Sequence, residues 1–236
     1  MTVSEATAPD TVITDAPVDT DATPAPKALP NPHELATQLI AKLCHDFISP
    51  TGAIVSGLDL LEDPSAQDMK DDAINLIKAS SKKLVSIVYF ARVAFGAATT
   101  AEAFSIKELR KIMDDVFETM RATLDLSIDD DIVLEKPVAR ALVNLAYIAG
   151  GALPLGGTAK IEMATDGGST IFTAVSTGKK ARLKPEAIEG LSGDPLGDGL
   201  SGQWIQPFWL NSVVKEAGGT LGFTAEDDRL EIVAKM

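Results

Sequence analysis

Large apolar residues recur at three- and four-residue spacings along 35–61: Leu35, Leu39, Leu43, Phe47, Ile54, Leu58 and Leu61. At about 100° per residue they fall within one face of a helix, so the spacing predicts a long helix ending near Glu62. Asn31-Pro32-His33-Glu34 reads as its start, with Asn31 as N-cap, Pro32 at the first helical position and Glu34 three residues after the cap. Pro50 is a point where the helix can bend, and Asp63-Pro64-Ser65 ends it. A second helix over about 67–95 carries Ile74, Ile77, Leu84, Ile87 and Val88 on one side, with most of its charges elsewhere. Two long helices with a short connection make an antiparallel hairpin. A single hairpin has too little interior to be stable alone, so a second copy is expected to complete a four-helix bundle.

The pattern changes at Gly96-Ala97-Ala98-Thr99-Thr100. Beyond it the sequence predicts a helix over 106–124, a short strand over 132–134 and a helix from Pro137 through Ile148. Strands over 160–165 and 170–176 follow, joined by the hairpin turn Asp166-Gly167-Gly168. After a Gly- and Pro-rich region come a helix over 203–217, ended by Gly218-Gly219, and strands over 220–224 and 229–234 turning at Glu226-Asp227-Asp228. The expected fold class is α+β, a helical hairpin over 30–96 followed by an α/β sandwich over 101–236. Residues 1–29, rich in Ala, Thr, Pro and Asp, hold almost no large apolar side chains and read as a disordered acidic tail.

Composition narrows the partners. With 236 residues and 45% hydrophobic content the chain can bury a substantial core. A formal charge of −13 disfavours nucleic acid and anionic membranes as partners and favours a protein with a basic patch. The single cysteine excludes an internal disulfide and a cysteine-cluster metal site. No signal-peptide pattern is evident, and no apolar run approaches about 18 residues. A cytoplasmic protein that does not span a membrane is expected.

His45 lies almost opposite the apolar face of the first helix. Its neighbours along the same stripe, Ala41, Ser49, Gly52 and Ser56, are small, so nothing bulky shields the imidazole and a partner has room to dock. Imidazole presents a nitrogen lone pair near neutral pH. Cys44 is adjacent in sequence and projects about 100° away, which excludes a thiol–imidazole dyad and assigns the thiol to packing. Asp46 can hold the nearer ring proton, although a solvated helix charge is the plainer reading of it. No nucleophile elbow and no two-His metal spacing is present.

His45, the acidic Asp46 directly after it and Pro50 five positions on resemble the H-box of sensor histidine kinases, whose pattern is His, acidic, three variable residues, Pro. His33-Glu34 has Gln38 five positions on and does not fit. The resemblance implies that His45 is the phospho-accepting nucleophile and that the hairpin dimerises. The order of later elements resembles the ATP-binding domain of the same kinases. The departures matter. In Ala141-Leu142-Val143-Asn144-Leu145-Ala146-Tyr147-Ile148 the position of the kinases' magnesium-binding Asn holds Ile148, which cannot ligate a hard cation. Val175-Ser176-Thr177-Gly178-Lys179-Lys180 lies where they carry an adenine-reading Asp, and it has no carboxylate. Gly197-Asp198-Gly199-Leu200-Ser201-Gly202 spells Gly-x-Gly-x-x-Gly, but no predicted strand leads into it.

An H-box beside a nucleotide domain without its ligands resembles the ChpT-type histidine phosphotransferases. Arg92-Val93-Ala94-Phe95-Gly96 and Gln203-Trp204-Ile205-Gln206 resemble that family too. The resemblance implies a homodimer without a cofactor of its own, magnesium being supplied by the partner receiver. It would take phosphate from the receiver of a CckA-type hybrid kinase and pass it to response regulators of the CtrA and CpdR types. A non-catalytic receiver-docking scaffold and a divergent ATP-dependent histidine kinase are the alternatives.

Overall fold

The structure is a computed structural model that describes residues 28–96 and 102–236. Most of the acidic tail, residues 97–100 of the expected boundary and residue 101 lie outside the described residues. Helix α1 spans Pro32–Glu62. Its start is the expected capping box: the Asn31 side chain accepts from the backbone of His33 and Glu34 at 3.0 Å each, and Glu34 accepts from the Asn31 N–H at 3.0 Å. His33 is an exposed residue of this capping turn. After a 3-10 turn over Pro64–Met69, helix α2 spans Lys70–Ala94 and runs back along α1. The two approach closely at Gly57, where a Cβ would stand 2.6 Å from Ile77 Cγ1 and 3.1 Å from the Ala73 carbonyl oxygen.

The remaining elements are β1 (Ala103–Ser105), α3 (Ile106–Phe117), β2 (Ala122–Ser127), β3 (Val133–Glu135), α4 (Lys136–Gly151), β4 (Gly157–Asp166), β5 (Ser169–Thr177), α5 (Pro185–Ser192), α6 (Ser201–Glu216), β6 (Thr220–Glu226) and β7 (Arg229–Lys235). Five strands form one sheet in the order β2-β4-β5-β7-β6, parallel between β2 and β4 and otherwise antiparallel; β1 and β3 pair separately. The β4–β5 turn places Gly167 and Gly168 at φ +57° and +86°, the primed turn conformation that glycine tolerates without strain. Alternate residues Phe172, Ala174 and Ser176 of β5 and Leu230, Ile232 and Ala234 of β7 are buried. On this face α4 packs against the sheet, giving the expected α+β architecture of a helical hairpin followed by a two-layer α/β domain.

Three local expectations are corrected. The helix predicted over 106–124 ends at Phe117, and 122–127 is β2. Leu and Ala there suit either conformation, but Ala122 and Leu126 are buried with exposed Thr123 and Asp125 between them, a period of two imposed by pairing with β4. Strand β1 and helix α5 were not anticipated, being only 3 and 8 residues long. Finally, the apolar face of α1 is not spent on the hairpin alone: Leu35 and Leu39 pack against Trp204, Ile205 and Phe208 of α6.

The hairpin is joined to the α/β domain by more than its chain connection. Phe90, Val93 and Ala94 at the end of α2 enter the main core with α4 and the sheet. The Ala94 carbonyl accepts from Asn144 Nδ2 at 2.9 Å and Trp209 Nε1 at 2.8 Å. Gln206 Nε2 donates to Asn144 Oδ1 at 3.2 Å, so a buried polar knot ties α2 to α4 and α6.

Candidate functional site

His45 sits midway along α1 with 87% of its side chain exposed. Ala41, Ser49, Gly52 and Ser56 are exposed on the same stripe, and a Cβ built on Gly52 meets nothing within 4 Å. The expected open stripe around the imidazole is therefore present as geometry. Pro50, which is buried, has no N–H to give to the carbonyl of Asp46 four residues back, so the helical ladder is interrupted within one turn of His45.

Asp46 is turned partly inward. Its Oδ2 accepts from Lys42 Nζ at 2.7 Å and its Oδ1 lies 3.5 Å from His45 Nδ1. That second contact is at the outer limit of a hydrogen bond and is directed at the nearer ring nitrogen. Lys42 has only 9% of its side chain exposed, and its ammonium lies 5.2 Å from the centroid of the Tyr147 ring on α4. Burial acts against the Lys42 ammonium, but Tyr147 and Asp46 together outweigh it and leave its pKa above the usual lysine value. Lys42 therefore stays charged throughout the neutral range.

Two features were not read from the sequence. The pairing of Lys42 with Asp46 was available as an i,i+4 spacing, whereas the burial of Lys42 against Tyr147 is set by a residue about a hundred positions away. Cys44, assigned to packing, is exposed. On the helix it lies one turn from Ile40 and Ile48, which are also exposed.

Between α1 and the α/β domain a cleft of about 450 Å³ opens beside His45, lined by Lys42, Asp46, Tyr147, Ile148, Arg182 and Gln206 among others. Ile148 presents hydrocarbon to this cleft. Ser176, on the strand compared with the adenine-reading motif, is fully buried and donates to the Ala149 carbonyl at 2.8 Å. The glycine loop joins α5 to α6, with no strand leading into it. Carboxylates of α5 hold its amides: Glu189 accepts from Gly197 N at 2.9 Å and Glu186 from Leu200 N at 3.3 Å. Among the described residues, no group of three or more His, Cys, Asp or Glu could hold a metal ion, and no helix is long and apolar enough to cross a membrane.

The family "Histidine phosphotransferase C-terminal domain" matches residues 106–229, which span the α/β domain and exclude α1. Protein phosphotransferase ChpT of Brucella abortus (strain 2308) is 30% identical over 197 residues, covering 82% of this chain and 92% of that protein. A solved bacterial phosphotransferase superposes with a TM-score of 0.77 at 26% identity, covering 89% of this chain and all of that one. With a C-terminal domain of that family and a relative matching along most of both lengths, the chain belongs to the ChpT-type histidine phosphotransferases and is a phosphotransferase of the phosphorelay class.

Proposed function

We propose that this chain, as a cytoplasmic homodimer, relays a phosphoryl group through His45. It takes the group from the phospho-aspartate of a receiver domain in a hybrid kinase of the CckA type and passes it to receivers of the CtrA and CpdR types. Residues 30–96 form the dimerisation and transfer unit, and the domain from residue 101 onward is a degenerate ATPase-like unit. The observation that carries this reading is the exposed imidazole of His45, set on a stripe of the small exposed residues Ala41, Ser49, Gly52 and Ser56. In the transfer, the His45 Nε2 lone pair forms the N–P bond as the acyl O–P bond breaks, and the receiver's aspartate leaves as a carboxylate. The ring keeps its Nδ1 proton and becomes a phosphorylated imidazolium, whose charge the Asp46 carboxylate offsets. The reverse displacement loads the next receiver. Magnesium comes with the receiver.

ATP is not the phosphate source in this reading. Ile148 gives a hard cation nothing to bind, and Glu186 and Glu189 already occupy two amides of the glycine loop with negative charge. A label-transfer experiment tests the whole proposal. The purified chain with labelled ATP and magnesium should stay unlabelled, then take label rapidly once a phosphorylated receiver is added. His45→Ala should abolish uptake with folding intact, and His33→Ala should change nothing. Label from ATP alone would make the chain a kinase, and receiver binding without uptake would make it a scaffold.

A further inference from the structure

The α/β domain meets the transfer helix beside the nucleophile at Lys42, whose ammonium lies 5.2 Å from the centroid of the Tyr147 ring. We propose that Tyr147 and Lys42 are positioning residues which hold the Asp46 carboxylate against His45, so that the α/β domain supports phosphotransfer from beneath its reacting side chain. This rests on the reading of His45 as nucleophile and Asp46 as its orienting partner.

Lysine is almost never buried unless it is paired. Lys42 has two neighbours that explain its position, the Tyr147 ring beneath it and Asp46 Oδ2 at 2.7 Å. Tyr147 is itself seated against Phe90, with ring centroids 5.1 Å apart, and Phe90 belongs to the main core. The order of support is therefore core, Tyr147, Lys42, Asp46, His45. The ion pair is only half-buried, Asp46 keeping 27% of its side chain exposed, and such a pair contributes little net stability. Its consequence here is geometric. A carboxylate free in solvent rotates, whereas one oxygen fixed on Lys42 leaves the other facing Nδ1 of His45. A carboxylate at Nδ1 favours the tautomer with the proton there and leaves the Nε2 lone pair pointing outward, where a receiver would approach. The 3.5 Å contact has room to shorten as the ring gains positive charge, as catalytic contacts in unliganded proteins commonly do.

The test combines four variants of the full chain. Lys42→Met keeps an unbranched apolar stem in the buried site, Lys42→Arg keeps charge, Tyr147→Leu removes the ring and Tyr147→Phe keeps it. Nitrogen-15 NMR of His45 in the free protein reads the tautomer, and label uptake from a phosphorylated receiver reads the rate at saturation and the half-saturating receiver concentration. Lys42→Met and Tyr147→Leu should mix the two tautomers and slow saturated uptake by about 10- to 100-fold, the range for lost orienting partners, with half-saturation unchanged. Tyr147→Phe keeps the ring but loses the hydroxyl that also favours the Lys42 ammonium, so it should fall between wild type and Tyr147→Leu in both readouts, and Lys42→Arg should restore most of what Lys42→Met loses. A folded Lys42→Met protein with the wild-type tautomer and rate overturns the proposal, as does a Tyr147→Leu protein with both unchanged. The NMR measurement needs no receiver, so it is decided independently of whether His45 carries phosphate.

Discussion

Gly52 offers the sharpest single-residue test of where receivers dock. An added side chain there meets nothing within 4 Å, and Arg is favoured over Gly in a helix interior by about 1 kcal/mol. Gly52→Arg should therefore keep or slightly raise thermal stability while placing a long side chain on the stripe around His45. Receiver affinity is expected to fall at least about tenfold, roughly 1.4 kcal/mol. Titration calorimetry with a receiver, beside a melting curve of the variant, separates the two effects, and unchanged affinity would show that partners dock elsewhere. The position of this stripe was legible because helix periodicity relates each side chain to its own helix. What periodicity cannot carry is a neighbour from another element. Lys42 reads as an ordinary surface charge until Tyr147 covers it, and Cys44 reads as a packing residue although it projects into solvent.

At the scale of elements, long periodic segments and strong punctuation were readable, and short pieces were not. The Asn31 capping box, the Asp63-Pro64 stop and the Gly167-Gly168 turn each fix backbone geometry locally, and each stands where the residues put it. Strand β2 is different, since Ala122 to Ser127 becomes a strand only by pairing with β4, which is distant in sequence. The two 3-residue strands β1 and β3 likewise exist through each other. The α1–α2 contact makes a prediction of its own. Gly57→Leu must fit new atoms where a Cβ already stands 3.1 Å from the Ala73 carbonyl, a backbone atom that cannot swing aside as Ile77 can. The cost of such overpacking is about 1–3 kcal/mol, so the denaturant midpoint should fall at an unchanged slope. An unaltered midpoint would mean that the helices separate there without cost.

For the whole molecule the question is what the hairpin still exposes once its own contacts are made. Part of its apolar surface goes inward: Leu35 and Leu39 to α6, and Phe90, Val93 and Ala94 to the domain core. The α/β domain thereby uses core residues of its own to fix the hairpin. What remains is a stripe on each helix: Ile40, Ile48, Val55 and Leu58 on α1, and Ile74, Val85, Val88 and Tyr89 on α2, each between 38% and 69% exposed. Single exposed apolar residues are ordinary, but four on each of two paired helices are the kind of surface that marks an interface. A second copy is the partner proposed for them, because two identical faces of this kind would complete a four-helix bundle about a twofold axis and cover these side chains. His45 projects to one side of the α1 stripe, so the proposed pairing would leave each imidazole open. Light scattering at micromolar concentration should therefore give twice the 24.8 kDa of the chain. Val55→Asp with Val85→Asp would set unpaired charges into that bundle, at a cost of several kcal/mol each, and should leave monomers whose α/β domain remains folded. A wild-type chain that scatters as 24.8 kDa while transferring phosphate at full rate would remove the second copy from both the structure and the mechanism.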